Sequence, residues 1–414
     1  MAEYPYYTEP THDGVDTGGV QGARDTSVSS AEGRLIIDAV DKIFLLEPNK
    51  HPLVTLLTNV GKVWDGKAWQ GSSIMKAVTG NPEFKWFEDV YGGRYAKAAA
   101  AQNASAGTCT VTGAGSNSAY IFTVGDIVRN ARTGENNLVT AIADGNTITI
   151  TNSYGDTAAA SIAAGDGLFI VGNVSAENTG ARNSNVTRST SQSNYTQIFK
   201  TTIAVSNTEK AASLYGGKDL PYLRAKKGTE HALDIERAFW FGQKNSDTST
   251  YARRATGGID EFLTAGTSFV QNQGGPLTAP DLDTFLREGF TYGDGVKTLF
   301  CGGPTLSAIN EIARGQIQTK VGDTSYGLSI SEWESAHGVV KIIRHPLLVQ
   351  DFAGYAFLLD LNCFRYRHLQ NRDTTLETNI QANGTDGQVD QYITESGLER
   401  KQAAYHAMLK GVQA

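Results

Sequence analysis

Apolar positions along this chain change their period several times, and each change marks an element. From Leu35 to Leu46 the residues Leu35, Ile36, Ala39, Val40, Ile43, Phe44 and Leu46 fall at helical spacing, and Pro48 and Pro52 then break it. Ahead of that run, residues 1–30 are rich in Gly, Thr and Asp without an apolar period, which predicts an extended arm. The stretch from Val63 to Tyr95 sets Trp64, Trp69, Phe84, Trp86 and Phe87 among charges. Aromatic density of that kind, outside a long periodic element, predicts an exposed ribbon that packs on another surface.

Between 105 and 171 the period shortens to two. Runs at Thr108–Val111, Tyr120–Phe122, Asp126–Val128, Asn137–Ile142, Thr147–Ile150 and Leu168–Val171 are separated by Gly- and Asn-bearing turns, with Asp144-Gly145 as a hairpin signal. The prediction is a compact β-module inserted into the ribbon. A polar stretch, 173–194, leads back out to a strand at Ile198–Val205. Asp219 and Pro221 then open a helix that ends near Phe241, before Gly242. At 1.5 Å per residue it is about 30 Å long, the longest helix the pattern supports. Beyond it the types alternate: helix at Asp281–Phe290, strand at Val296–Cys301, helix at Thr305–Ala313, strands at Val339–Ile343 and Tyr355–Leu361. After Arg367 a strand at Leu376–Gln381, a turn at Asn383–Gly387, and a strand and tail to Leu409 complete an α+β chain.

Composition narrows the class. At 414 residues the chain has room for two or three cores. A formal net charge of −7 argues against a general nucleic-acid binder, which needs clustered Lys and Arg. The start, Met1-Ala2-Glu3-Tyr4-Pro5, has acid and proline where a secretory signal needs basic then apolar residues. Cys109, Cys301 and Cys363 are odd in number and far apart, so neither a disulfide framework nor a metal knuckle is expected.

Candidate chemistry is thin. Gly61 to Ala68 has the spacing of a phosphate loop, but Trp64 fills the loop and Ala68 stands where the magnesium-binding hydroxyl belongs. Asp386 and Asp390 flank a Gly-rich turn without the terminal Glu of a calcium loop. Glu332 and Glu334 flank Trp333 and read as the solvated edges of a packed indole. None of the seven histidines falls in a ligand spacing. No catalytic residue, cofactor site or metal site is expected.

Charge, by contrast, is unevenly divided. Residues 1–61 hold four basic and nine acidic side chains (4 − 9 = −5), and residues 181–254 hold twelve and six (12 − 6 = +6). Opposite potentials on one subunit suit docking between copies, since they steer encounter and set register; two solvated faces are the alternative. The candidate intersubunit contacts are the aromatics Phe44, Trp64, Trp69, Phe84, Trp86 and Phe87, with Arg224, Lys226, Lys227 and Arg237 on the long helix.

The order of parts resembles the major head (capsid) proteins of tailed bacteriophages with the HK97-like fold. The residues that carry the likeness are Ile43-Phe-Leu-Leu-Glu-Pro48 with His51-Pro-Leu53, Phe84-Lys-Trp-Phe-Glu-Asp89, Asn194-Tyr-Thr-Gln-Ile-Phe199, Asp234-Ile-Glu-Arg-Ala-Phe239, Arg254-Ala-Thr-Gly-Gly-Ile259 and Glu395-Ser-Gly-Leu-Glu399. The resemblance implies an N-terminal arm (1–61), an extended E-loop (62–104, returning over 172–205) that carries the β-rich insertion (105–171), a P-domain with a spine helix (206–254), an A-domain (255–365), and P-domain return strands with the C-terminus (366–414). It implies a non-enzymatic subunit that self-assembles into hexamers and pentamers of an icosahedral head. Portal, separate scaffolding or decoration proteins, and double-stranded DNA in non-specific contact would be its partners. No membrane association is implied; the location would be the virion, assembled in the host cytoplasm. A tail or decoration protein, an enzyme with a scattered site and a surface-layer protein remain as alternatives.

Overall fold

In the computed structural model the described residues are 51–413, except 59–62, 65–68, 71–74, 92, 113–117, 186, 213–218, 248–250, 317–319 and 322–330. The predicted arm helix at Leu35–Leu46, and Phe44 with it, lies outside them, as does most of the loop Gly61–Ala68.

The longest helix among the described residues runs from Asp219 to Phe241, 23 residues, with the bounds its spacing predicts. It stops where Gly242 has no room for a side chain: a Cβ there would sit 2.4 Å from the Ala238 carbonyl and 2.5 Å from that of Thr256. One face of the helix lies on a sheet in which Gln197–Ser206 pairs antiparallel with Gly387–Arg400 along its whole length. Phe364–Leu369 follows antiparallel, and Lys76–Thr79 closes that edge in parallel. The end of the helix reaches a second, seven-stranded sheet. Phe239 and Trp240, both fully buried, share one apolar core with Phe199 and Leu398 of the first sheet and with Phe300, Ile343 and Phe357 of the second. Trp240 meets Phe300 and His345 edge-on, at ring separations of 5.2 and 4.9 Å.

The seven-stranded sheet has the order Phe269–Asn272, Ala407–Lys410, Ala356–Leu359, Val296–Cys301, Gly338–Arg344, Ser331–Ser335, Lys320–Val321. Val296–Cys301 is buried at five of its six positions, as a central strand between helices should be. Helix Ala279–Gly289 starts on a Thr278–Asp281 capping box, in which the Asp281 carboxylate accepts from the Thr278 hydroxyl at 2.5 Å. The chain's end was expected among the return strands of the first sheet. Instead, Ala407–Lys410 is inserted beside Ala356–Leu359. Buried Lys297 secures that crossing: its ammonium donates to the carbonyls of Gly289, Tyr292 and Tyr405, each at 2.6 Å.

Residues 83–88 and 190–195 form a two-stranded antiparallel ribbon. It leads to a closed six-stranded barrel with its own core, built around Val111, Val128, Val139, Ile148, Ile150 and Ile170. The barrel starts earlier than the sequence suggested, because Tyr95–Ala98 is its first strand and pairs with Gly167–Asn173. Residues 118–121 form one turn of 3₁₀ helix where a strand was expected at Tyr120–Phe122. The hairpin at Asp144-Gly145 is present as a four-residue connection, in which the Asp144 carboxylate accepts from the Asn146 N–H at 2.8 Å. Near the chain's end, the strand expected at Leu376–Gln381 shrinks to Thr375–Glu377.

Trp240→Ala should cost about 3–5 kcal/mol, since it empties the junction of both sheets and the helix. Urea unfolding of the isolated subunit checks this; a loss below about 1 kcal/mol would mean the junction repacks.

Candidate intersubunit surfaces

Alternation decides where the ribbon aromatics go. In Glu83–Glu88 the burial pattern puts Phe84 and Trp86 on the inner face and Phe87 on the outer. The Phe84 and Trp86 rings stack 6.1 Å apart, and the indole N–H donates to Glu88 at 2.8 Å. Phe84 covers Gly397, where a Cβ would come within 2.9 Å of the ring. Phe84 and Trp86 are thus covered by the chain's own structure, whereas Phe87 remains 73% exposed. Trp64 and Trp69 are directly opposed in a short hairpin of Val63–Trp64 with Trp69–Gln70.

Three of the four basic candidates on the long helix are held within the chain. Arg224 donates twice to the fully buried Asp390, at 2.6 and 2.8 Å. Lys227 pairs with Glu230 at 2.6 Å and Arg237 with Asp234 at 2.8 Å. Lys226 is half-buried and has no ion pair among the described residues. The Asp386–Asp390 turn is explained by the same bonds: Asp390 also accepts from the Asn379 N–H and Gln388, and Asp386 accepts from Asn207. Burial pushes the Asp390 carboxyl up, but the bonds from Gln388 and Arg224 outweigh it and hold the group below its ordinary range.

Sequence reasoning missed the polar joints that position these surfaces. Glu236, fully buried on the long helix, accepts from the backbone N–H groups of Leu53 (2.9 Å) and Val54 (2.7 Å), from the Trp240 indole (3.2 Å) and from His345 (2.7 Å). The His345 Nδ1 accepts from the Leu347 N–H, so the proton facing Glu236 is on Nε2. Asn194, at the ribbon's base, donates to Thr256, Gly257 and Leu398 and accepts from the N–H groups of Tyr195 and Gly257. A buried charge, or a buried amide using all its bonds, leaves no spacing signal in the sequence, since its partners are up to 204 residues away.

Among the described residues no group of three or more His, Cys, Asp and Glu stands together as a metal site would require. All three thiols are pushed up by burial, Cys109 to about 11 and Cys301 and Cys363 to about 12, opposite to an activated nucleophile. Trp333 is buried between Glu332 and Glu334, both at least partly exposed. A cleft of about 830 Å³ at the ribbon's base is lined by Phe84, Tyr195, Arg254 and Arg367 and places no nucleophile beside a base.

The sequence model of the SU10 major capsid protein family matches residues 16–413. A major capsid protein of Pseudomonas phage PaMx41 is 24% identical over 279 residues, 64% of this chain and 66% of that relative, just under two thirds of its length. Among solved structures, the capsid asymmetric unit of cyanophage A-1(L) matches with a TM-score of 0.47 at 12% identity, over 92% of this chain and 98% of the other. A Microbacterium phage Oxtober96 chain gives 0.47 at 10% identity, over 94% and 99%.

Two predictions follow from the joints. Glu236→Gln turns an amide N–H₂ toward donors, and should lower stability by about 2–4 kcal/mol and expose the 52–58 helix to limited proteolysis; unchanged protection there would refute the latch. Burial also depresses His231, and it depresses His406 to about 3. Both rings are neutral when folded, whereas unfolded histidine titrates near ~6.5. Stability is therefore complete above that pH and is lost as pH falls below it, for His406 toward ~3, by roughly 1.4 kcal/mol per pH unit for that histidine at most. Thermal melts between pH 7 and 5 test this, and His406→Gln should flatten the slope.

Proposed function

The chain belongs to the SU10 major capsid protein family, and from that premise we propose that it is the repeated shell subunit of an icosahedral tailed-phage head. On this reading it closes into hexamers and pentamers on the HK97-like plan and carries out no catalysis. The observation that carries the reading is the ribbon. It leads away from the core shared by both sheets to a barrel whose core has no residue in common with it, and it keeps Phe87 bare at its edge. An exposed aromatic on a two-stranded extension gains burial only from another molecule, and in a shell the available molecule is a sister copy.

The parts then take their roles. Residues 1–61 act as the arm and the ribbon as the E-loop, with the barrel as its insertion. The helix Asp219–Phe241 is the spine on the P-domain sheet, and the seven-stranded sheet is the A-domain. Portal and separate scaffolding or decoration proteins complete the particle, which assembles in the host cytoplasm around double-stranded DNA. A net charge of −7 lets that DNA slide against the shell instead of adhering. The tail-protein alternative requires mostly β-structure without a long helix, and the 23-residue spine counts against it.

Overexpressed chain should form shells or capsomer-sized rings in negative stain. Phe87→Ala should leave the subunit's melting temperature unchanged and cut particle yield severalfold, whereas Trp86→Ala should destabilise the subunit itself by about 3 kcal/mol. A clean monomer at high concentration, or normal particles from Phe87→Ala, would overturn the reading.

A further inference from the structure

Half of the large apolar side chains that are exposed among the described residues lie between Phe87 and Val171, on the ribbon and barrel. On one wall of the barrel three of them form a row. Tyr95 and Phe169 are direct cross-strand partners, 51% and 48% exposed, and Val171 continues the row at 54%. The tyrosine lies flat over Gly167, where a Cβ would come within 2.7 Å of its hydroxyl, so glycine is what lets the ring rest on the wall. Cations border the row on both sides: Lys97 opposite Gly167, and Arg129 opposite Phe169 on the next strand. Both are exposed, and neither has an ion pair among the described residues.

The opposite charges of residues 1–61 and 181–254 suggest docking between them, but on the spine Arg224, Lys227 and Arg237 are already bonded to Asp390, Glu230 and Asp234. Of the four spine candidates only Lys226 is left without an ion pair among the described residues, whereas the barrel wall sets two such cations beside exposed aromatic rings. The sequence ahead of the described residues is its complement. Residues 1–23 hold Glu3, Glu9, Asp13 and Asp16 with no Lys or Arg, interleaved with Tyr4, Tyr6 and Tyr7. Fifty residues precede His51 and, fully extended, reach about 165 Å, enough to cross to another copy. We propose that the acidic, tyrosine-rich segment Glu3–Asp16 docks on the barrel face formed by Tyr95, Phe169 and Val171, with its carboxylates on Lys97 and Arg129. The tyrosine rings cover the apolar row, and the charges fix the register.

Zero-length carbodiimide coupling on the purified full chain tests this, because it joins carboxylate to amine only where the two already touch. Trypsin leaves Met1–Arg24 as one peptide, so a product is unambiguous. The expected product links Lys97 to Glu3, Glu9, Asp13 or Asp16, and its yield should fall about fivefold in Arg129→Glu at an unchanged melting temperature. Lys97 coupled solely to carboxylates within residues 51–413, or not coupled at all, would overturn the assignment. So would binding of a labelled oligothymidine that Arg129→Glu abolishes, since bases stack on such faces too and the wall would then be a nucleic-acid surface.

Discussion

The seating of the 52–58 helix on the spine depends on one carboxylate kept in a dry place. Removing Glu236 from water costs several kcal/mol, and that cost is offset only if every donor around the group is aimed at it. Four donors from three separate regions meet the requirement: the start of the 52–58 helix, the spine itself and the His345 loop of the seven-stranded sheet. The incoming chain therefore cannot slip along the spine without stranding a charge. Its helix of seven residues is too short to persist alone and takes its position from this bond set, with Leu53 and Leu57 sealing it into the shared core.

The same economy governs the long helix. Summed charge marks residues 181–254 as basic, yet charge summed over sequence says nothing about partners brought in from elsewhere. Asp390 is 166 residues from Arg224 and fully buried beside it. Part of what sequence counting treats as a free basic face is met from elsewhere in the chain, Arg224 by Asp390 and Arg182 by Asp126. The potential available to a partner is set by the cations left over, and on the barrel wall these border bare aromatic rings.

Long periodic elements were legible from sequence: the spine ended at Gly242 as its spacing required, and Val296–Cys301 kept both its bounds. Alternation also held the answer for the aromatics, because period two sends Phe84 and Trp86 one way and Phe87 the other. Reading them as a group instead of by parity hid this. Tyr95–Ala98 escaped notice because its inward residues are two alanines, which bury well at a crowded barrel wall but give almost no hydrophobic signal. The destination of Ala407–Lys410 was illegible for a different reason. Its strand character is local, but its sheet is chosen by Lys297 and by partners about 50 residues back in the chain, at Ala356–Leu358.

A barrel with a private core on a two-stranded stalk separates two demands that a single core would set against each other. Closing the barrel leaves it no open strand edge, so the backbone there is satisfied before any partner arrives. Its outward side chains are then free to be as apolar or as charged as a contact requires, without disturbing the junction around Trp240. The stalk is tied to the body at both ends: Asn194 fixes its base, and the Gln402 N–H donates to Glu88 at its barrel end at 2.9 Å. Movement of the stalk must break those bonds first.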